Sequence, residues 1–222
     1  PPKAKGKNIR PIVIAPIDNR IVRRAILEVL QGFGSDRVPL KKRWPGVPAV
    51  RRVMETRTSV GGIRERGVAH GLALIDEAVR CGKPWFVRSD IKSFFTRIPL
   101  VRVNEFIAKA TPDPQFASIF KAALATNLAN KAELEERNHL KLFPNEDVGV
   151  AQGSALSALA ANIALQDFDS QFNNRNIVCV RYIDDFIMLG ETQTKVLKAY
   201  AAARSYLKSM GMDVYDHTDA AA

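Results

Sequence analysis

Apolar positions Ile21, Val22, Ala25, Ile26, Val29 and Leu30 recur with the 3.6-residue period of an amphipathic helix, with Arg20, Arg23 and Arg24 on its other faces. Asp18 stands where an N-cap would start that helix. Before it, Ile12, Val13 and Ile14 lie between Pro11 and Pro16, which predicts an edge strand or an extended turn. Residues 1–7 read as an extended basic arm, and residues 31–66 as loop, rich in Gly, Pro, Lys and Arg. Ala69, Leu72, Leu74, Ile75 and Val79 predict a helix over 67–80, closed by Gly82. Residues 85–95 then read as a strand of aromatic and β-branched residues. Helices are expected over 101–110 and 116–128, a charged loop over 130–146, a turn over 149–154 and one long Ala/Leu-rich helix over 155–172. Two apolar strands, 177–183 and 186–189, follow, and a last helix, 192–210, ends at Gly211. No internal repeat is visible. Helices mixed with hairpin-linked strands predict an α+β fold.

Two places break this pattern. Asp184 and Asp185 stand between the two strands, where a two-residue hairpin favours Asn-Gly or Asp-Gly. Adjacent aspartates repel there, and a local rule broken at one point is where function is expected. The plainer alternative is an exposed tip carrying harmless charge. Asp90 sits in an otherwise apolar strand, where an ionised carboxylate is costly unless it is paired or bound to metal. Its plainer alternative is a partner for Arg88 or Lys92. A strand carboxylate, a helix and a hairpin with two more acids can bring one carboxylate to two. Oxygen-only clusters of this kind suit Mg²⁺, which binds through few carboxylates plus substrate phosphates. Two such ions serve in-line phosphoryl displacement. A third element, Gly149 to Ser157, is a turn feeding a helix. There Gly153 permits close backbone approach to a ligand and Ser154 can cap; ordinary capping is the plainer reading.

Charge sharpens the picture. The 222 residues carry 33 basic and 23 acidic side chains, a net of +10. Residues 1–90 hold 19 basic and 8 acidic, a net of +11, whereas residues 91–222 come to −1. A basic block on a near-neutral one points to a polyanion partner, against a merely solvated face. Apolar runs break well before the ~18 residues of a membrane span, and no secretory leader is visible. Cys81 and Cys179 cannot build a disulfide framework, so a cytoplasmic setting without membrane contact is expected.

Taken together, these residues resemble the reverse transcriptases over nearly the whole chain. Tyr182-Ile183-Asp184-Asp185 resembles the family's Tyr-x-Asp-Asp box, and Asp90 through Phe95 its first catalytic-aspartate motif. Gln152-Gly153-Ser154-Ala155-Leu156-Ser157, followed by Asn162, resembles the Gln-Gly motif. Ile9 through Ile12 and Asp18 through Val22 resemble a fingers motif of the bacterial retron and group II intron branch. Each match is moderately specific; four in order are hard to obtain by chance.

The resemblance implies a right-hand polymerase: fingers over 1–84, palm over 85–111 and 149–222, an insertion over 112–148, and no thumb in this chain. It implies RNA-directed DNA synthesis from a primer and deoxynucleotides (dNTPs), in a retron or phage-defence setting and with a cognate structured non-coding RNA. Asp90 and Asp184, helped by the Ile91 carbonyl, would hold two Mg²⁺ ions (Mn²⁺ as substitute), with Asp185 as the weaker third carboxylate. Gln152 and the backbone of Ser93 and Phe94 would meet the incoming nucleotide. Phe95 would exclude a ribose 2′-hydroxyl, and Lys7 and Arg10 would grip phosphates. Tyr182 would lie near the primer end, and Arg64 and Gly153 near primer or template. The sequence departs from the family at Ala151 and Ala158, where prolines are usual, and at Ile183, where this branch often has Ala. It also stops where a further motif and a thumb are expected. The rival readings are a reverse-transcriptase-like RNA-binding scaffold or intron maturase, and an RNA-templated RNA polymerase.

Overall fold

The computed structural model describes residues 11–32 and 44–216. The first helix, α1 (Ile17–Gln31), buries Arg23, Ile26, Leu27 and Leu30. Its N-cap is Pro16, two residues earlier than the pattern predicts, so Asp18 sits in the first turn rather than at the cap. There its charge still complements the helix dipole. Within the expected loop, α2 (Pro48–Met54) forms, opened by a proline in its first turn and held by buried Val50 and Val53. Seven residues are too few for a periodic signal, so packing rather than propensity fixes this helix. Next come α3 (Val68–Arg80) and β1 (Trp85–Asp90). Gly82 closes α3 at φ 82°, as expected.

The strand expected over 85–95 stops at Asp90; Phe94–Arg97 is a 3₁₀ turn entered through Ser93 in left-handed geometry. Then α4 (Leu100–Ala110), α5 (Pro114–Leu124) and α6 (Lys131–Glu136) follow, α6 lying inside the expected charged loop. Asp113 caps α5 through the N–H groups of Gln115 and Phe116, so that helix starts and ends earlier than its apolar residues suggest. The expected long helix over 155–172 is two: α7 (Ser157–Ala164) and α8 (Gln166–Gln171), broken at Leu165 without Gly or Pro. Finally β2 (Ile177–Tyr182), β3 (Asp185–Gly190) and α9 (Gln193–Ser209) complete the described chain.

The three strands form one antiparallel sheet in the order β1-β3-β2. Alternation assigns its two faces. Ile177 and Cys179 of β2, Phe186 and Met188 of β3 and Val87 of β1 join the main core, with α9, α7 and α8 behind them. On the opposite face, Val178, Val180 and Ile187 meet Val60 and Leu74, so α3 covers β2 and β3 there. Past the hairpin, the chain returns to β1. Ile91 bridges Val214, and the Tyr215 N–H donates to the Asp90 carbonyl at 3.0 Å.

Candidate active site

The register of the sheet decides which carboxylates meet. Asp90 ends β1 directly opposite Asp185, the first residue of β3, and Asp185 in turn faces Tyr182 across the hairpin. The two central turn residues are therefore Ile183 and Asp184, not the two aspartates: the turn lies one residue earlier than the sequence pattern predicts. The Ile91 N–H donates to the Asp184 carbonyl at 3.2 Å, tying the hairpin tip to the end of β1. One strand and one hairpin thus set the backbones of all three aspartates side by side at one end of the sheet.

Their electrostatics differ. Asp90 is half-buried, and burial first, then the nearby charges of Asp184 and Asp185, raise its carboxyl from 3.8 to about 6. The Ile91 N–H and the Arg88 charge pull the other way. Arg88 itself pairs with Asp185 at 3.1 Å, and the Lys92 ammonium lies over the Tyr215 ring at 4.8 Å. Neither basic neighbour is therefore spent on Asp90, whose Oδ1 is buried without a hydrogen-bond partner. An orphaned carboxylate oxygen beside two further carboxylates fits a cation as the missing partner. Among the described residues no three acidic, His or Cys side chains are already gathered into a metal cage. An ion here would complete its shell with water and substrate oxygens, the habit of Mg²⁺.

The other expected residues lie in several different settings. Phe94 is a core residue at 2% exposure, and Phe95 beside it is only half-buried, their rings 5.6 Å apart. The Phe95 carbonyl accepts from the Val150 N–H at 2.7 Å, which ties the 3₁₀ turn to the strand-like approach to the Gln152 turn. Ser93 is exposed at φ 51°. Gln152 accepts at its carbonyl from the Val13 N–H at 3.2 Å, so the segment before α1 seats on the turn that holds Gly153 (φ 102°). Beside it a cleft of about 980 Å³ opens between residues 12–28 and 153–155, with Arg20 and Arg24 on its wall. Tyr182 is 44% exposed on the sheet face of Asp90 and Asp185. Arg64 is engaged with both Glu28 oxygens, at 3.1 and 3.2 Å, and Arg24 binds the same carboxylate. Lys7 and Arg10 lie outside the described residues.

Residues that sequence reasoning passed over stand behind the hairpin. Arg181, fully buried on the main-core face of β2, forms a two-pronged ion pair with buried Asp169 of α8, at 2.8 and 2.5 Å. Its fork also reaches Ser59, Asn162 and the Ile183 carbonyl at 2.9, 3.0 and 2.9 Å. Of these, Asn162 and Ile183 lie in motifs, whereas Ser59, Asp169 and Arg181 itself do not. The available signal was a lone charge in the apolar run Val178-Cys179-Val180, the argument that singled out Asp90.

Gly61 shows how tightly this hairpin is gripped. A Cβ there would come within 2.5 Å of the Ile183 nitrogen and 2.9 Å of the Tyr182 carbonyl carbon, both backbone atoms. Gly61→Ala must therefore push the hairpin away. We expect it to cost about 1–3 kcal/mol, read by thermal or denaturant unfolding. An unchanged stability would show that the loop and the hairpin separate freely.

Protein YkfC of Escherichia coli K12 is 25% identical over 179 residues, covering 78% of this chain; the chain spans 40% of that relative's length. Among solved structures, apo telomerase of Candida tropicalis, truncated from its C-terminal domain, is 18% identical over 75% of this chain and 37% of its own, with a TM-score of 0.44. Candida albicans telomerase with a fragment of telomeric RNA is 15% identical over 88% of this chain and 33% of its own, again with a TM-score of 0.44. The model of the family described as reverse transcriptase (RNA-dependent DNA polymerase) matches residues 1–217. With almost every residue inside that match and its α+β fold that of the family's fingers and palm, the chain belongs to the reverse transcriptases.

Proposed function

We propose that this chain carries the polymerising site of an RNA-directed DNA polymerase, a nucleotidyltransferase that extends a primer with dNTPs on an RNA template. The observation that carries the reading is the orphaned Oδ1 of Asp90, held at the end of β1 against Asp184 and Asp185. A half-buried carboxylate whose proton affinity is raised by two others beside it is a poor way to stabilise a fold and a good way to bind a cation. Asp90 and Asp184, with the Ile91 carbonyl, are the residues that would hold two Mg²⁺ ions, with Asp185 as a third carboxylate. Bound there, the ions would supply charge neutralisation for phosphoryl transfer and a lowered pKa for the primer hydroxyl.

The chain's own groups do the positioning. Arg88 partly neutralises Asp185 and so keeps it the weaker ligand. Gln152 and the backbone of Ser93 and Phe94 flank the nucleotide, with Tyr182 beneath the primer end and Gly153 and Arg64 toward the template. Lys7 and Arg10 belong to the phosphate-gripping fingers. The basic block over residues 1–90 suits a template backbone, whose phosphates draw on Lys and Arg without regard to sequence. The departures at Ala151, Ala158 and Ile183 favour a retron or phage-defence enzyme, with its own structured RNA, over an intron maturase.

Primer extension by the full-length protein tests the reading. Complementary DNA should accumulate on an RNA template with dNTPs and Mg²⁺, and not with EDTA. No product in Mg²⁺ or Mn²⁺ would return the chain to an RNA-binding scaffold. Phe95→Val should open the sugar pocket and improve use of ribonucleotides by about 10- to 200-fold relative to dNTPs, the range for one steric contact. Unaltered discrimination would remove Phe95 as the sugar gate and revive the RNA-templated RNA polymerase.

A further inference from the structure

Ile183 has φ 60°, and Asp184 is not in the left-handed region. A two-residue hairpin with positive φ only at its first central position follows the II′ pattern, which favours Gly at that position. A β-branched residue there is strained, and strain persists only where surrounding contacts over-determine it. Four contacts do so. Ile91 holds the Asp184 carbonyl from one side, and Gly61 lies so close on another that even a Cβ there would fall 2.5 Å from the Ile183 nitrogen. A Cβ on Gly62 would meet both Ile183 Cδ1 at 3.0 Å and the Ala158 Cβ at 2.5 Å, so the isoleucine side chain is wedged beside α7. From behind, Arg181 Nη1 donates to the Ile183 carbonyl at 2.9 Å.

The Arg181 side chain links several parts of this frame. Its Nε and Nη2 are locked on Asp169 of α8. Nη2 also meets Ser59 and Asn162, and Asn162 Nδ2 donates to the Gly61 carbonyl at 3.1 Å. The Arg181 backbone pairs with residues 58 and 60, receiving from Val60 and donating to Thr58, each at 2.8 Å. The guanidinium thus joins the Gly61 loop, α7 and α8 to the peptide between Tyr182 and Asp184.

We propose that Arg181 is a positioning residue for the polymerising site: through the Ile183 carbonyl it holds the strained turn that presents Asp184 to Asp90. This rests on the polymerase reading above. Its donors form a planar fork of fixed spacing, and a lysine's compact ammonium cannot span Asp169 and the Ile183 carbonyl together.

The experiment separates holding the turn from holding the fold. Arg181→Met combined with Asp169→Leu replaces the buried pair by apolar groups of similar volume, which is often neutral for stability. Ser59 and Asn162, which bond each other at 3.1 Å, would keep that partner in the variant. Its melting temperature is expected within about 3 °C of wild type. Primer–template affinity and the KM for dNTP should hold within about twofold, while single-turnover incorporation at saturating dNTP falls at least about tenfold. Arg181→Lys, which keeps the charge beside Asp169, should lose turnover in the same way. Wild-type turnover in either variant, or a loss of turnover that merely tracks melting temperature in both, would overturn the proposal. Wild type and Asp184→Ala equally silent in the same assay would overturn the polymerase reading instead, and this inference with it.

Discussion

Asp90→Asn is expected to stop nucleotide incorporation while making the metal-free protein more stable. The loss follows from chemistry. An amide keeps the shape but not the charge that holds a divalent cation, and removing several kcal/mol of charge stabilisation slows turnover by at least about a thousandfold. The gain follows from the raised carboxyl. With a folded value of about 6 against 3.8, the fold prefers Asp90 protonated. Its stabilising contribution is complete below about pH 4 and lost as pH rises through about 6. At pH 7.5 the full penalty is present. Two units are about 3 kcal/mol at face value, and the half of the group still open to water reduces this to about 1–2 kcal/mol. For a chain of this length that is a rise in melting temperature of about 2–8 °C in EDTA. Melting curves of both proteins at pH 5 and pH 7.5 check the sign: the gap should widen at the higher pH. An asparagine variant that melts below wild type at pH 7.5 would mean the carboxylate is a structural partner and not a strained ligand.

Asp90 was legible in the sequence because burying an unpaired carboxylate in an aromatic strand has a large cost that composition alone exposes. The hairpin acids were legible because two adjacent aspartates are poor turn chemistry, but their turn was displaced by one residue. Strand alternation cannot say whether Ile183 ends a strand or begins a turn when the residue is apolar and its φ is positive. The break at Leu165 left no trace, since α7 and α8 part at a residue with good helix propensity and only the packing of α7 on α4 and α2 distinguishes them. The short α2 was hidden by loop-like neighbours for the matching reason: its valines become a helix only because a core exists to receive them. Arg181 was missed although the sequence held its signal. A single arginine at a strand end reads as solvated, and what makes it internal is Asp169, twelve residues earlier and on a different element.

Asp169→Ala should be among the most destabilising single changes in the described chain. Both members of the pair are out of water, Arg181 at 0% and Asp169 at 1% side-chain exposure. Truncating the carboxylate leaves a guanidinium that cannot lose its proton facing only neutral acceptors: Ser59, Asn162 and the Ile183 carbonyl. Breaking a buried pair in this way costs about 3–5 kcal/mol, which lowers the melting temperature by about 6–20 °C in a chain of this size. The cost belongs to the stranded charge rather than to the lost attraction. Adding Arg181→Met to Asp169→Ala should therefore recover part of it, although a cavity remains where the carboxylate stood. Urea titration of the two variants measures the difference directly. If the double variant were no more stable than Asp169→Ala, the aspartate would be acting through its packing or its α8 backbone contacts. In that case the guanidinium would be reaching the Ile183 carbonyl without help from α8.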